Sequence, residues 1–288
     1  MRKILFPFSV GQSQFKEAFI VAVKFARTLN AELILLNAFE IELDDNITKE
    51  SYNRQIKNKW IVAYNEVTAF NKYYLSKYAK VNDEMKVRFD HRFVYANESE
   101  QILNIVSKEA IDMLILPYGE LKADHKKIDH LVDNDIFNNN STSLLLIPSK
   151  FEYGSIKNIV YATDLKEHHL NKFYFNEILK YAKIFDAKIH FLHIDASGKE
   201  EKKQNNKVLK LINDIISRNS KHVYNSVNSR DINNAIINYT DANNIDLISV
   251  VKEDDRFWSV LFQKSISKKI VEVSKVPVLY MIEKTGLE

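Results

Sequence analysis

The feature that most constrains this chain is an internal repeat, because self-similarity at a regular offset sets the architecture before any single element does. Four blocks of the first half, the last two at one common offset, recur in the same order in the second half, which a chance match does not explain. The chain is therefore two tandem copies of one domain. The matching blocks are 3–9 with 158–164, 29–36 with 185–192, 111–115 with 245–249, and 143–147 with 277–281.

The second copy is shorter than the first only in its middle, mostly around the acidic stretch at 40–50. A length of 288 residues suits two medium-sized domains. The segment 149–156, which contains Gly154, is the predicted linker. We therefore expect one domain over 1–150 and a second over 151–288.

Each copy alternates apolar runs with segments of helical period. The runs at 33–36, 113–116 and 144–147 are apolar at every position, which is typical of strands that are covered on both faces. The segment 14–29 carries apolar residues at three- and four-residue spacing, which predicts an amphipathic helix. The alternation predicts an α/β fold in which each copy is a doubly wound, five-stranded parallel sheet with helices on both faces.

The predicted elements follow the same order in both copies. Asn30 and Asp186 follow the first helix of each copy, where the chain reverses, and we expect a left-handed backbone there. In the first copy, strands are expected near 3–8, 31–38, 86–94, 112–117 and 143–148, and helices near 14–29, 54–79, 98–110 and 126–138. In the second copy, strands are expected near 157–163, 187–194, 221–227, 246–251 and 277–282, and helices near 170–185, 200–217, 231–243 and 261–274.

The composition argues against several classes of protein. The absence of cysteine removes disulfides, thiolate metal sites and cysteine nucleophiles. The formal net charge is only +3 and its signs are interspersed, which argues against a nucleic-acid partner. Pro7 interrupts the apolar start of the chain, so no signal peptide is predicted, and no apolar run approaches the length of a membrane span. These features predict a cytoplasmic protein without a membrane partner.

The order of elements in each copy is similar to that of the universal stress protein family. The first copy shows it as a strand, a helix, the run Ala-Glu-Leu-Ile-Leu-Leu, the run Ile-Asp-Met-Leu-Ile-Leu and a last strand. The second copy is closer to the family, because residues 246–248 open its fourth strand and residues 274–279 enter its fifth. The resemblance covers nearly the whole chain and implies a Rossmann-like (flavodoxin-like) strand order of 3-2-1-4-5 in each copy.

The resemblance also concerns the last strand of each copy. An apolar edge strand left open is an aggregation hazard, and the strands at 144–147 and 278–282 are apolar. In universal stress proteins such edges pair with each other. The resemblance therefore implies a pseudo-two-fold dimer of the two copies within one chain, and it leaves open a further homodimer of whole chains.

The phosphate-binding loop of the family is degenerate in this chain. ATP-binding members carry Gly-x2-Gly-x9-Gly-[Ser/Thr] after the fourth strand, where glycines let backbone N–H groups approach the phosphates. Only Ser265 keeps the motif, and the chain has five glycines in all. A phosphate site is therefore not expected in the first copy. The matching positions are Val251, Asp254, Lys264 and Ser265 in the second copy and Pro117, Glu120, His130 and Leu131 in the first.

The nucleoside half of the family's site leaves traces in the second copy. An acidic residue ends the first strand in the family; Asp164 keeps it, whereas Ser9 replaces it. His193 and Ile194 stand where the family has a histidine and a small apolar residue. Asp164 is equally compatible with a plain turn after a strand. The candidate ligand-binding residues, at the topological switch point of the second sheet, are Ala162, Thr163, Asp164, Ile194, Val251, Lys252 and Ser265.

Other chemistry finds less support in the sequence. His168 and His169 lack a third ligand at matching spacing, so no metal site is predicted. The odd spacing of His190 and His193 predicts opposite faces of one strand. The aspartates at 90, 112 and 246 are expected to have structural roles. No nucleophile elbow, Walker loop or carboxylate pair is present, so we do not expect an enzyme.

The leading hypothesis is a tandem universal stress protein that acts as a non-catalytic regulatory or interaction scaffold in the stress response. It would have no cofactor, and its partner would be a protein of unknown identity. The alternative is a sensor that binds ATP or AMP in the second copy only. A third possibility, hydrolysis or group transfer on a related nucleotide fold, lacks an identifiable base or metal cluster.

Overall fold

A computed structural model gives the fold of the chain. The chain forms two compact units, Met1–Leu116 with Lys127–Asn140, and Pro117–Lys126 with Ser141–Glu288. The residues that the structure describes are 2–8, 15–39, 48–78, 87–118, 126–128, 130–131, 134, 136, 142–148, 151–152, 154–163, 172–195, 221–252, 270 and 273–282.

The first unit contains a parallel sheet and three helices among its described residues. Its elements are β1 (Arg2–Pro7), α1 (Phe15–Leu29), β2 (Ala31–Phe39), α2 (Lys49–Tyr78), β3 (Arg88–Tyr95), α3 (Glu98–Lys108) and β4 (Met113–Tyr118). β2 pairs with both β1 and β3, and β1 pairs with β4, so the strand order is β3-β2-β1-β4. This confirms the order predicted for the first four strands.

The second unit contains the strands of the second copy together with the last strand of the first. Its elements are β5 (Ser143–Pro148), β6 (Asn158–Thr163), α4 (Lys172–Phe185), β7 (Lys188–Asp195), β8 (His222–Asn228), α5 (Ile232–Ala242), β9 (Leu247–Lys252) and β10 (Val278–Ile282). The strand order is β5-β10-β9-β6-β7-β8, and all pairs except β5–β10 are parallel. The order predicted for the second copy is confirmed.

The observed elements agree with the predicted ones apart from their ends. The largest difference is α2, which begins at Lys49 rather than at 54. Thr48 caps this helix, because its Oγ1 accepts a hydrogen bond from the backbone N–H of Ser51 at 3.3 Å, and its first turns need no apolar face. The predicted helices at 126–138, 200–217 and 261–274 and the acidic stretch at 40–50 lie mostly or wholly outside the described residues.

The antiparallel pair β5–β10 has a symmetric register. Leu145 pairs with Leu279, and these two leucines occupy equivalent positions in the two copies. On either side, Leu146 pairs with Val278 and Leu144 pairs with Tyr280, which are again related by the repeat. The pairing of the two last strands, implied by the family resemblance, is thus confirmed.

Aromatic side chains join the first helix of each copy to its sheet. In the first unit Phe19 on α1 lies 6.0 Å from Phe6 on β1, measured between ring centroids. In the second unit Phe175 on α4 lies 5.7 Å from Tyr161 on β6. All four rings are fully buried. Burial of such large side chains is a main source of stability for both units.

The residues that follow α1 and α4 have the left-handed backbone that the sequence predicts. Asn30 has φ of 48° and Asp186 has φ of 51°. Their backbone N–H groups bond to the carbonyls of Arg27 and Lys183, three residues earlier. Asn and Asp tolerate this conformation better than other residues with a Cβ, so the repeat conserves a turn without using glycine.

Equivalent aspartates tie the fourth strand of each copy to the first. Asp112 Oδ2 accepts a hydrogen bond from the backbone N–H of Lys3 at 2.8 Å. Asp246 Oδ2 accepts two, from the backbone N–H groups of Lys157 at 2.7 Å and Asn158 at 2.8 Å. These contacts give both aspartates the structural role that the sequence predicts.

Glu109 joins three elements of the first unit. It follows α3 and binds Arg92 on β3 and Lys3 on β1, with Lys3 Nζ at 2.7 Å from Glu109 Oε2. Arg92 also binds Asp90 on its own strand at 2.7 Å. Hydrogen bonds from Arg92 and Lys3 lower the pKa of Glu109 from 4.5 to about 2. Glu109 is therefore charged throughout the neutral range.

Glu109→Gln is expected to remove an acid-sensitive part of the stability. Because the folded-state pKa lies below the unfolded one, the stabilisation is complete above about pH 4.5 and is lost as the pH falls toward about 2. The side chains are partly exposed, so we expect the variant to lose about 1 to 2 kcal/mol of unfolding free energy at neutral pH. Urea unfolding at about pH 7 and about pH 3 measures the difference, which should shrink at the lower pH.

The matched control is Glu100→Gln, an exposed glutamate on the same helix. It should change the free energy of unfolding by less than about 0.5 kcal/mol at either pH. A difference between wild type and Glu109→Gln that stays constant between the two pH values would contradict the assigned role of Glu109.

Candidate functional site

The candidate site lies at the carboxyl ends of the central strands of the second unit. β6 is flanked by β7 on one side and by β9 on the other, and all three strands run parallel. The chain therefore winds away from β6 in both directions, which makes this end of the sheet a topological switch point. Open α/β sheets bind ligands in the crevice at such a point.

The strand ends place five of the seven candidate residues at this one edge. Ala162 and Thr163 are the last residues of β6, and both are half-buried. Ile194 is the next-to-last residue of β7 and is 4% exposed. Val251 and Lys252 are the last two residues of β9. The remaining two candidates, Asp164 and Ser265, lie outside the described residues.

The described candidates divide between the two faces of the sheet. Thr163 pairs with His193, so these two side chains share a face. Ala162 pairs with Leu192, so Ala162 shares the opposite face with Ile194. A ligand at the strand ends would therefore meet a hydroxyl on one side and small apolar groups on the other.

The equivalent strand ends of the first unit are filled by protein. Phe8 corresponds to Thr163 in the repeat and is 3% exposed. Asn37 corresponds to His193, is also buried, and donates a hydrogen bond from Nδ2 to the carbonyl oxygen of Phe8 at 3.0 Å. An aromatic ring and a satisfied amide thus occupy the place where the second unit has a half-buried threonine.

The phosphate-loop position of the first copy has also lost its chemistry. Leu131 stands where the second copy has Ser265, and its side chain is fully buried. Leucine has no hydroxyl group, so its side chain cannot donate a hydrogen bond to a phosphate as serine can. The structure of the first unit is therefore consistent with the degenerate loop seen in its sequence.

A partly buried polar network, which reaches the first residue of β6 and so lies away from the carboxyl ends of the strands, was not predicted from the sequence. Tyr239 Oη accepts a hydrogen bond from Asn225 Nδ2 at 2.6 Å and lies 3.0 Å from His190 Nδ1. Asn158 Oδ1, 3.3 Å from His190 Nε2, can only accept a hydrogen bond, so Nε2–H of the neutral ring donates to it and Nδ1 accepts the hydroxyl proton of Tyr239. Burial, and then the charge of Lys188, lowers the pKa of His190. The histidine is neutral and structural.

The two histidines of β7 lie on opposite faces, as predicted. His190 contacts Tyr239 on α5. Its neighbour Phe191 stacks against Phe175 on α4 at 5.4 Å, and His193 shares the face of Phe191 because side chains alternate along a strand. The two histidines therefore point to opposite faces because side chains alternate along a strand, and they cannot bind one metal ion together.

A shallow cleft of about 360 Å³ lies beside α5, where β8 ends. Four of its lining side chains are asparagines and none is cationic, so it offers nothing to balance a phosphate charge. Two of these asparagines already bond within the protein: Asn234 to Asp231, and Asn243 to the carbonyl of Tyr239. The lining residues are Val227, Asn228, Ser229, Asn234, Ala235, Asn238, Tyr239, Ala242 and Asn243.

Two kinds of feature were sought among the described residues: clusters of metal-binding side chains and membrane-spanning helices. In those residues, no group of three or more His, Asp or Glu side chains is placed to hold a metal ion. None of the helices described above is long and apolar enough to cross a membrane.

No family model matches the chain, and no curated protein matches its sequence. Solved structures do match its fold. A universal stress protein from Archaeoglobus fulgidus DSM 4304 superposes over 98% of both chains with a TM-score of 0.65 at 10% identity. The chain has the fold of a tandem universal stress protein.

Two other similar structures show how widely this fold occurs. A putative universal stress protein from Pseudomonas aeruginosa UCBPP-PA14 gives a TM-score of 0.61 at 10% identity, covering 99% of this chain and 94% of its own. The cytoplasmic domain of a prokaryotic cation chloride cotransporter gives 0.53 at 10% identity, covering 99% and 97%. At such identities the likeness to universal stress proteins and to the transporter domain concerns the fold alone.

Proposed function

We propose that the chain is a non-catalytic, cytoplasmic scaffold of the universal stress type, which acts in a stress response by binding a protein partner. The observation that carries the proposal is the filled strand end of the first unit, where Phe8 and Asn37 are buried. A site that retained nucleotide binding would keep this crevice open. The loss of the loop glycines in both copies supports the same conclusion.

A second candidate function rests on the difference between the copies. Thr163 is half-buried where Phe8 is buried, and the apolar residues Ala162 and Ile194 lie on the opposite face of the same strand ends. These residues, with Asp164, Val251, Lys252 and Ser265, would hold an adenine nucleotide in the second copy only. The chain would then be a nucleotide sensor with one site.

Calorimetric titration with ATP, ADP and AMP, each with and without Mg²⁺, separates the two functions. The scaffold proposal expects no saturable binding with a Kd below about 1 mM. Tight binding of one nucleotide per chain would overturn it and favour the sensor. In that case Asp164→Ala and Thr163→Phe should abolish binding, because the first removes the carboxylate near the ribose and the second copies the ring of the first unit.

The matched control for these variants is Ser9→Ala, at the first-copy position equivalent to Asp164. It should leave any nucleotide binding unchanged. Loss of binding in Ser9→Ala, or full binding by Asp164→Ala, would exclude a site in the second copy as assigned here.

A further inference from the structure

An exposed strip of basic and aromatic residues runs along α2. Arg54, Lys57, Trp60, Ile61 and Tyr64 recur at three- and four-residue spacing, which places them on one side of the helix. We call these five residues the basic–aromatic strip. Trp60 is 44% exposed, Ile61 38% and Tyr64 48%, and both cationic residues are exposed. Exposed aromatic side chains grouped in this way mark interaction sites more often than isolated ones do.

The opposite side of α2 faces the protein. Ala63 is 4% exposed, and by helical geometry it points roughly opposite to Ile61 and Arg54. The strip is therefore the outward side of a helix that already has its inward contacts. Trp60 and Tyr64 stack on each other with ring centroids 5.3 Å apart and ring planes within 13°. This stacking reduces the side-chain entropy that a partner would have to remove on binding.

The charge of α2 indicates what kind of partner fits. The helix contains six basic and two acidic residues, an excess of four positive charges, whereas the whole chain has a net charge of only +3. The basic residues Arg54 and Lys57 lie within the strip, and Lys59 lies next to it. A complementary surface would carry carboxylates around an apolar group.

We infer that the basic–aromatic strip docks an acidic segment of a partner protein, whose apolar side chain packs against Trp60, Ile61 and Tyr64. The inference rests on the proposed scaffold function, which it makes specific. Tryptophan, tyrosine and arginine are the residues that most often dominate the energy of protein interfaces, usually as an apolar centre with a charged rim. The strip has this composition, and its two cationic residues lie together at the amino-terminal end of the apolar group.

A protein partner fits the strip better than an anionic membrane does. A helix that lies in a bilayer surface needs a long continuous apolar face. Here the exposed apolar residues on this side occupy little more than one turn, and the exposed Asn58 and Asn65 flank them. The apolar area matches a single anchoring side chain.

Fluorescence of Trp60 tests the inference directly. The chain has two tryptophans, so Trp258→Phe leaves Trp60 as the reporter. The probe is a synthetic amphipathic peptide that, as a helix, carries glutamate on one face and leucine on the other. The comparison peptide has lysine in place of every glutamate. We expect the acidic peptide to shift the emission of Trp60 saturably, with a Kd below about 1 mM that rises with salt. The lysine peptide should produce no shift.

Charge reversal provides the matched variants. Arg54→Glu with Lys57→Glu should weaken binding of the acidic peptide at least about tenfold. Lys126→Glu with Arg230→Glu, at two exposed positions outside the strip, should weaken it less than about twofold. Circular dichroism of each variant verifies that it is folded. Equal weakening by both pairs, or no saturable binding of the acidic peptide, would overturn the inference.

Two further measurements keep this test separate from the test of the scaffold function. Cosedimentation with vesicles of phosphatidylserine and phosphatidylcholine, if lost on Arg54→Glu with Lys57→Glu, would assign the strip to membranes and overturn the protein partner. The nucleotide titration described above uses the same protein without the peptide. If neither a nucleotide nor the acidic peptide binds, the proposed scaffold function is retained and only the docking role of the basic–aromatic strip is rejected.

Discussion

Leu279→Ala is expected to lower the free energy of unfolding by about 2 to 5 kcal/mol. Leu279 of β10 lies at the centre of the β5–β10 pairing, is fully buried, and pairs with Leu145 of β5. The variant loses the transfer free energy of the removed carbons and leaves a cavity that a close-packed core fills only in part. Urea unfolding followed by far-ultraviolet circular dichroism measures the loss. Val62→Ala, at a side chain that is 52% exposed, is the control and should change stability by less than about 0.5 kcal/mol.

Leu145→Ala tests whether the two leucines act as a pair. The symmetric register predicts a single-variant cost close to that of Leu279→Ala. Because the side chains are direct neighbours, the double variant should cost less than the sum of the two single variants, by about 0.5 to 3 kcal/mol. Full additivity would show that the two side chains do not share a packing site, which would contradict the predicted coupling.

The second large effect concerns Asp246. Asp246→Ala is expected to cost about 2 to 3 kcal/mol, because it leaves the backbone N–H groups of Lys157 and Asn158 without their carboxylate acceptor. Water can replace part of what is lost, since these contacts are near the surface. Asp246→Asn keeps an acceptor oxygen and should cost about 1 kcal/mol. Thermal and urea unfolding of the three proteins measure the order.

The first copy supplies a matched comparison for Asp246. Asp112 accepts one backbone N–H group where Asp246 accepts two. Asp112→Ala should therefore cost about 1 kcal/mol, roughly half as much as Asp246→Ala. A larger loss of unfolding free energy in Asp112→Ala than in Asp246→Ala would show that the number of hydrogen bonds does not determine the loss.

The sequence predicts the sheet because its evidence is local and repeated. Runs such as 33–36 and 144–147 are apolar at every position, and only strands covered on both faces need that pattern. The left-handed turns at Asn30 and Asp186 were predictable for a similar reason, since the residue type and the place in the repeat agree. The strand order came from the family resemblance, because periodicity does not determine which strands are neighbours.

The asymmetry of the strand ends required the structure. The sequence shows Phe8 aligned with Thr163 but does not show that the ring is buried or that Asn37 bonds to its backbone. The network around His190 joins residues that are 32 and 49 positions apart, so no local spacing reveals it. The start of α2 was missed because Thr48 begins the helix through a cap, whereas the prediction relied on apolar period.

The symmetric pair β5–β10 has a consequence for how such a chain changes over evolutionary time. In a dimer of two identical single-copy chains, a substitution in the last strand would appear in both of the paired strands at once. In the tandem chain the two sides are encoded separately, and Leu146 and Tyr280 already differ although they are equivalent. Gene duplication thus gives each half its own mutational freedom while the register between the strands is preserved.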